Sequence, residues 1–379
     1  MTAGTMNKNL VALHTLGQSI WYDNLSRDVL QSGELAGIIG AGVRGLTSNP
    51  TIFKNAIAGS DKYDSDMKPL AQKGLSAADI CEDLMIADVG AAADLLLPIF
   101  KSSNGHDGYA SIEVSPFLSG DTKGTIEAAK RIWERLNRPN IMIKIPATPE
   151  SMPAIKATLE AGINVNVTLI FSVAVYAQVA EAYISALESR SARGLPVSGI
   201  ASVASFFVSR VDAICEKTFD ELVKKGTQKA ETKAAFRALV GVANSKLAYA
   251  HYNQIFKDSR FAKLKAAGAM VQRPLWASTG TKSPDLKPVL YVEELAGQDT
   301  VNTVPPQTLK ALMEQMEVAP RLHSGLADAQ GVIAKLSTYG LQFDLLMQQL
   351  QVEGVKLFAD AFKELLDSIE KKRIAFSGK

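Results

Sequence analysis

The stretch Ile141 to Thr148 (IMIKIPAT) constrains the fold more than any other part of the chain. Ile141, Met142, Ile143 and Ile145 form an apolar run without polar alternation, closed by Pro146. Such a run reads as a strand covered on both faces, as in a parallel sheet with helices packed outside it. Lys144 interrupts it. A lysine is rarely buried, because taking an ammonium out of water is costly. Losing the proton relieves that cost, and a neutral amine on a rigid strand is a nucleophile for carbonyl carbon. The same run fits an edge strand whose lysine snorkels to water, or a buried ion pair. Taken alone, it leaves these readings open.

The flanking sequence repeats one theme, a short strand followed by a helix. Strands are expected at Gln18 to Tyr22, Arg44 to Ser48, Tyr109 to Val114, the lysine strand, Asn164 to Leu169, Ile200 to Ala204, Val271 to Ser278 and Thr300 to Val304. Helices are expected at Leu10 to Leu16, Arg27 to Ser32, Ser76 to Lys101 with a bend at Pro98, and Thr122 to Leu136 with Asp121 as its N-cap. Others are expected between Pro149 and Gly162, from Ser172 to Glu188, and from Pro284 to Leu295. The glycines at 37, 40, 42 and 45 read as a flexible approach to the second strand, and Asn49-Pro50 as the turn into a loop. The tract 211–267 reads as several helices without a strand, and everything from Gln307 onward as helix.

Eight strand–helix units of right-handed connection close naturally into a (β/α)8 barrel, the TIM-barrel fold. A doubly wound open sheet is the structural rival, but the glycine tract lacks the helix that a dinucleotide-binding fingerprint requires. With no linker or repeat in its 379 residues, the chain reads as a single barrel domain over 1–379, carrying a helical extension at 307–379. Helices such as Gln342 to Ile369 could pack on the barrel or on a second copy in a homodimer; the sequence leaves both open.

Lysine plus arginine (41) nearly balance aspartate plus glutamate (39), so neither nucleic acid nor a membrane surface is the expected partner. Cys81 and Cys215 are read as buried free thiols of a cytoplasmic protein, and no signal peptide or membrane-spanning run is expected. His14, His106, His251 and His323 are scattered, which offers no metal-ligand set.

In such a barrel the working groups gather at the C-terminal ends of the strands. Those ends carry Asp23, Asn49, Glu113, Lys144, Asn166 with Thr168, Ser205 and Ser278. Singly, each has an ordinary structural explanation; Asp23 could cap a helix, and Thr168 could satisfy a carbonyl. Their convergence round a lysine is the signal.

The runs SIWYDNLSR (19–27), LTSNPTIF (46–53), SIEVSP (111–116), IMIKIPAT (141–148), INVNVTLIFS (163–172) and FFVSRVD (206–212) resemble transaldolase, in order and over most of the chain. The resemblance implies a barrel of the class I aldolase kind and exchange of a dihydroxyacetone unit between sugar phosphates through a lysine Schiff base. Sedoheptulose 7-phosphate and glyceraldehyde 3-phosphate would give erythrose 4-phosphate and fructose 6-phosphate, without a cofactor. It implies Lys144 as the amine and Asp23 as the base for carbon–carbon cleavage, with Glu113 and Thr168 holding a proton-shuttling water. Asn49 and Asn166 would hold the three-carbon unit, and Ser205 and Arg210 would bind phosphate, together with Ser278. The chemistry asks for the same types, because retro-aldol cleavage needs an electron sink, a base and shelter from water.

One departure concerns phosphate. Familiar transaldolases carry an arginine two residues beyond the seventh-strand serine, where WASTGTK (276–282) has Gly280, leaving Lys282 to supply a charge of different geometry. The nearest rival is fructose-6-phosphate aldolase, in which the glutamate is typically glutamine and the phenylalanine two residues after the phosphate-site serine is tyrosine. Glu113 and Phe207 stand at those positions here, which favours transfer. A barrel that binds phosphosugars without catalysis is the rival of a different class, and the lysine, acids and asparagines occurring together speak against it.

Overall fold

A computed structural model describes residues 6–377. Eight parallel strands close into a barrel in sequence order: β1 Gln18–Tyr22, β2 Leu46–Thr47, β3 Ala110–Glu113, β4 Ile141–Pro146, β5 Val165–Ile170, β6 Ser202–Phe207, β7 Arg273–Ala277 and β8 Thr300–Val304. Closure comes from β1 pairing with β8 over five residues, from Gln18 opposite Thr300 to Tyr22 opposite Val304.

Every strand position is at most partly accessible, yet the two faces differ in chemistry. On β4, Ile141, Ile143 and Ile145 pack with the surrounding helices in the larger apolar core. Met142 belongs instead to a second core with Trp21, Val203, Leu275 and Val301. Because strand side chains alternate, Lys144 shares the face of Met142. The lysine interrupts the apolar run because the run serves two environments, an outer one of isoleucines and an inner one that turns polar towards the C-terminal end. The same parity puts Thr47, Glu113, Asn166, Thr168, Ser205 and Thr303 inside.

Local chemistry explains the helices. Asp121 caps Thr122–Leu136 by accepting from the Gly124 amide, and Ser172 caps Val173–Ala192 through Val175. The helix Ala77–Ser102 runs uninterrupted through Pro98. Five parts of the chain depart from the sequence reading. Gly37 and Gly40 lie within the helix Glu34–Ala41, because Leu35, Ile38 and Ile39 supply apolar spacing that outweighs about 1 kcal/mol per glycine. Asn49-Pro50 starts a helix, Pro50–Ile57, and another follows at Asp64–Gln72. The helix expected from Pro284 is confined to Leu290–Glu294, since Pro288 has no amide hydrogen and restricts Lys287. The C-terminal region is three helices, Pro306–Glu314, Leu326–Thr338 and Phe343–Ser377, with a non-helical segment containing Pro320 after the first. The tract 211–267, expected as several helices without a strand, comprises Ser209–Lys224, Ala230–Phe236, Val240–Phe256 and Ser259–Ala266.

Between β5 and β6 the register shifts, so that Val167 to Ile170 spans three steps against two from Ala204 to Phe206. The additional residue puts Leu169 at φ 59°, the mark of a bulge beside a working site. Leu169 thereby packs against Gly354 of the helix Phe343–Ser377, which crosses the C-terminal mouth of the barrel. Cys81 and Cys215 are buried free thiols, which burial pushes up to about 12.

Gly108 joins the helix Ala77–Ser102 to β3 at φ 86°, and a Cβ there would collide with the Phe100 backbone. Gly108→Ala is expected to cost about 2–3 kcal/mol of stability, read as a lower urea midpoint at unchanged m-value.

Candidate active site

Strand register sets the centre of the site. Glu113 on β3 lies opposite Lys144 on β4, and Lys144 lies opposite Asn166 on β5. The Lys144 ammonium is 3.5 Å from Glu113 Oε2 and donates to the Ser48 carbonyl at 3.2 Å. Lys144 is 5% exposed and Glu113 4%. The lysine therefore points inward with a carboxylate beside it; the snorkelling alternative does not hold, and the buried ion pair is part of the site.

Burial pushes the Glu113 carboxyl up to about 7, against the opposing pull of Lys144, and the charge of Asp23 adds to the rise. Asp23 follows β1 directly and accepts a 2.7 Å hydrogen bond from Thr47 Oγ1, which is itself 2.5 Å from Thr303 Oγ1. Burial raises the Asp23 carboxyl as well, while Lys144, the Thr47 hydroxyl, Arg210 and Lys282 pull it back. Two acids thus face one amine, each held above the ordinary carboxylate range.

Asn166 ties the inner wall together. Its Nδ2 donates to Ser111 Oγ at 3.1 Å and its Oδ1 accepts from Ser205 Oγ at 2.7 Å. Ser205 lies inside β6, because that strand begins and ends later than the sequence pattern suggests. Glu113 Oε2 and Thr168 Oγ1 are buried without a hydrogen-bond partner among the described residues. Buried polar atoms are nearly always paired; Thr168 Oγ1 lines the cavity and is open to a bound molecule, whereas Glu113 Oε2 faces the Lys144 ammonium. Asn49 caps the helix Pro50–Ile57 through Oδ1, which accepts from the Ile52 amide at 3.0 Å. It sits at a helix start, not at the entry to a loop.

On the opposite side, Arg210 lies in the first turn of Ser209–Lys224. Its guanidinium carbon is 5.4 Å from the Phe207 ring centre and 5.9 Å from that of Phe358, with no ion-pair partner among the described residues. Ser278, at φ 56°, exchanges a 2.9 Å hydroxyl contact with Ser209. Lys282 is exposed at the rim. Gly280 is tucked against Pro305 and Thr308, where a Cβ would already be tight at 3.3 Å.

A cavity of about 530 Å³ connects these groups. Asp23, Asn49, Lys144, Thr168, Ser205, Arg210, Ser278 and Lys282 line it, whereas Glu113 and Asn166 reach it through Lys144 and Ser205. Sequence reasoning missed Thr47 and Thr303, although inward parity on β2 and β8 marks both. It also missed the wall formed by Leu357, Phe358, Asp360 and Glu364 of the helix Phe343–Ser377. No local motif announces that wall.

Residues 20–369 match the family described as Transaldolase/Fructose-6-phosphate aldolase. The chain belongs to the transaldolase/fructose-6-phosphate aldolase family. It is 45% identical to Transaldolase 2 of Nostoc punctiforme over 370 residues, covering 96% of this chain and 97% of the relative. It is 44% identical to the transaldolase of Trichodesmium erythraeum, covering 97% and 98%. With the transaldolase of Mycolicibacterium smegmatis the identity is 44%, covering 96% and 97%. Among the described residues of this family member, no helix is long and apolar enough to cross a membrane. No group of three His, Cys, Asp or Glu among them could hold a metal ion.

Glu113 binds its proton more tightly in the folded chain than its ordinary value of 4.5 would allow. Its contribution to stability therefore falls as pH rises from about 4.5 to 7, where the ionised form must stay buried. Glu113→Gln removes that dependence. Between pH 5 and 8 wild type is expected to lose up to about 3 kcal/mol relative to the variant, measured by urea unfolding at both pH values.

Proposed function

We propose that Lys144 forms a Schiff base with a ketose phosphate and that this chain is a transaldolase, a transferase. The carrying observation is the buried Lys144 amine 3.5 Å from Glu113, in one cavity with Asp23. In this reading the amine attacks the ketose C2. Glu113, with Thr168, passes the protons that turn the carbinolamine into the iminium, as a carboxyl titrating near 7 is suited to do. Asp23 takes the proton of the C4 hydroxyl, the C3–C4 bond breaks, and its electron pair flows into the iminium to leave an enamine. An aldose departs, a second aldose phosphate enters, and the steps reverse.

Arg210, Lys282, Ser205 and Ser278 face the phosphate end, while Asn49 and Asn166 steady the retained three-carbon unit. The reaction interconverts sedoheptulose 7-phosphate plus glyceraldehyde 3-phosphate with erythrose 4-phosphate plus fructose 6-phosphate. The iminium supplies the electron withdrawal, so the reading calls on no cofactor. It places the enzyme in the cytoplasm as one barrel domain over 1–379, with 307–379 as its helical extension and a homodimer as the assembly to test. Fructose-6-phosphate aldolase is the second reading, which Glu113 and Phe207 disfavour. An aldolase would release free dihydroxyacetone from fructose 6-phosphate without an acceptor.

Borohydride added with fructose 6-phosphate is expected to leave a reduced adduct on Lys144, found by mass and peptide mapping. An unchanged mass, or an adduct elsewhere, would refute the assignment. Glu113→Gln should lower kcat about 100-fold or more with a small change in KM; a KM effect with kcat intact would remove the shuttle role.

A further inference from the structure

The helix Phe343–Ser377 buries Met347, Leu350, Gly354, Phe358, Ala361, Leu365 and Ile369. Steps of three and four make this one stripe along the helix. On either side of Phe358 the stripe is fastened to the barrel. Gln351 Nε2 donates to the Ala147 carbonyl just beyond β4 at 2.6 Å, and Gly354 lets the helix approach Leu169 on the bulge of β5. Further along, Glu364 pairs with Lys54 at 2.9 Å and Lys372 with Asp64 at 2.5 Å.

Phe358 alone in that stripe faces two cations. Its ring centre is 5.7 Å from Lys144 Nζ and 5.9 Å from the Arg210 guanidinium carbon, and the residue is 4% exposed. Phe207 lies near the same guanidinium, at 5.4 Å. An aromatic ring close to a desolvated cation attracts it through its quadrupole, and it also denies water the same space. Contacts of the helix on both sides of Phe358 hold the ring facing Lys144.

We propose that Phe358 is a positioning residue for group transfer: its ring roofs the Schiff-base nitrogen and shields the enamine from water until the acceptor aldehyde arrives. The inference rests on the Schiff-base reading above. The enamine has two fates. In transfer, its C3 attacks the acceptor aldehyde and a carbon–carbon bond forms. In the wasteful branch, C3 takes a proton from water, the resulting iminium adds water at C2, and the C–N bond breaks. That branch releases dihydroxyacetone and returns the Lys144 amine, with one water consumed.

The test measures dihydroxyacetone release from fructose 6-phosphate and transfer to erythrose 4-phosphate on the same preparation. Phe358→Ala should raise the ratio of release to transfer about ten-fold. Phe358→Leu, which keeps apolar bulk in the stripe, should give a smaller rise and serves if the alanine variant does not fold. A ratio equal to wild type in the folded variants, with both rates falling together, would overturn the proposal and reduce Phe358 to packing. Failure of borohydride to trap wild type on Lys144 would instead overturn the underlying Schiff-base reading.

Discussion

The site depends on a carboxylate and an ammonium held side by side inside a closed ring of strands. Neither group can leave, because β3 and β4 pair residue by residue up to Glu113 and Lys144, and a barrel has no edge from which a side chain could swing out. Each ion loses hydration, and their mutual attraction repays that loss only partly. The balance is visible in Glu113, where burial outweighs the nearby ammonium and the carboxyl titrates near 7. In the Schiff-base reading proposed above, a carboxyl raised to about 7 is suited to give and take the protons of imine formation and hydrolysis.

The N-terminal mouth of the same barrel shows the opposite solution. Asp107 is 2% exposed, as deeply buried as Glu113, yet it accepts from Ser19 at 2.7 Å, Arg44 at 2.9 Å and Arg273 at 3.0 Å. Burial raises its carboxyl, but Arg273, Ser19 and Arg44 together outweigh burial and hold it below the ordinary range. Asp107 is thus locked ionised and closes the floor. Glu113 has one cation at 3.5 Å and an Oε2 without a hydrogen-bond partner among the described residues. Burial is nearly the same for both acids, so the number of donors decides whether the carboxyl is held below or above its ordinary value.

Much of this was legible in sequence because it rests on parity. The outer isoleucines of β4 and the inner Met142 and Lys144 alternate, and the polar strand ends converge once a barrel is assumed. The resemblance then gave roles to residues that spacing alone left ambiguous. Less legible were features set by competition between weak local signals. Two glycines masked the helix Glu34–Ala41 because its apolar contacts are tertiary, and Asn49-Pro50 reads equally as a turn or as a helix start. Ser205 was displaced from strand end to strand interior because Ser202 to Phe207 has no polar boundary to mark where pairing stops. Thr47 and Thr303 passed unnoticed because a threonine in a strand is ordinary, and only their 2.5 Å contact beneath Asp23 distinguishes them.

The C-terminal helix was the least legible element, for a physical reason. An amphipathic stripe states that one face is buried and is silent about what covers it. Its 35 residues span about 52 Å, enough to cross the mouth of a barrel entirely. Its ends meet different parts of the ring, near Ser172 and Val175 on one side and the helices Pro50–Ile57 and Asp64–Gln72 on the other. Short loops following β-strands place polar groups round the cavity of about 530 Å³, and the helix closes one side of it. A long helix anchored on both sides of the ring does so without itself being strained. The residues outside the eight-unit barrel thus supply one wall of the cavity, with Phe358 facing Lys144, and Gly354 is a point at which the helix comes close to the barrel.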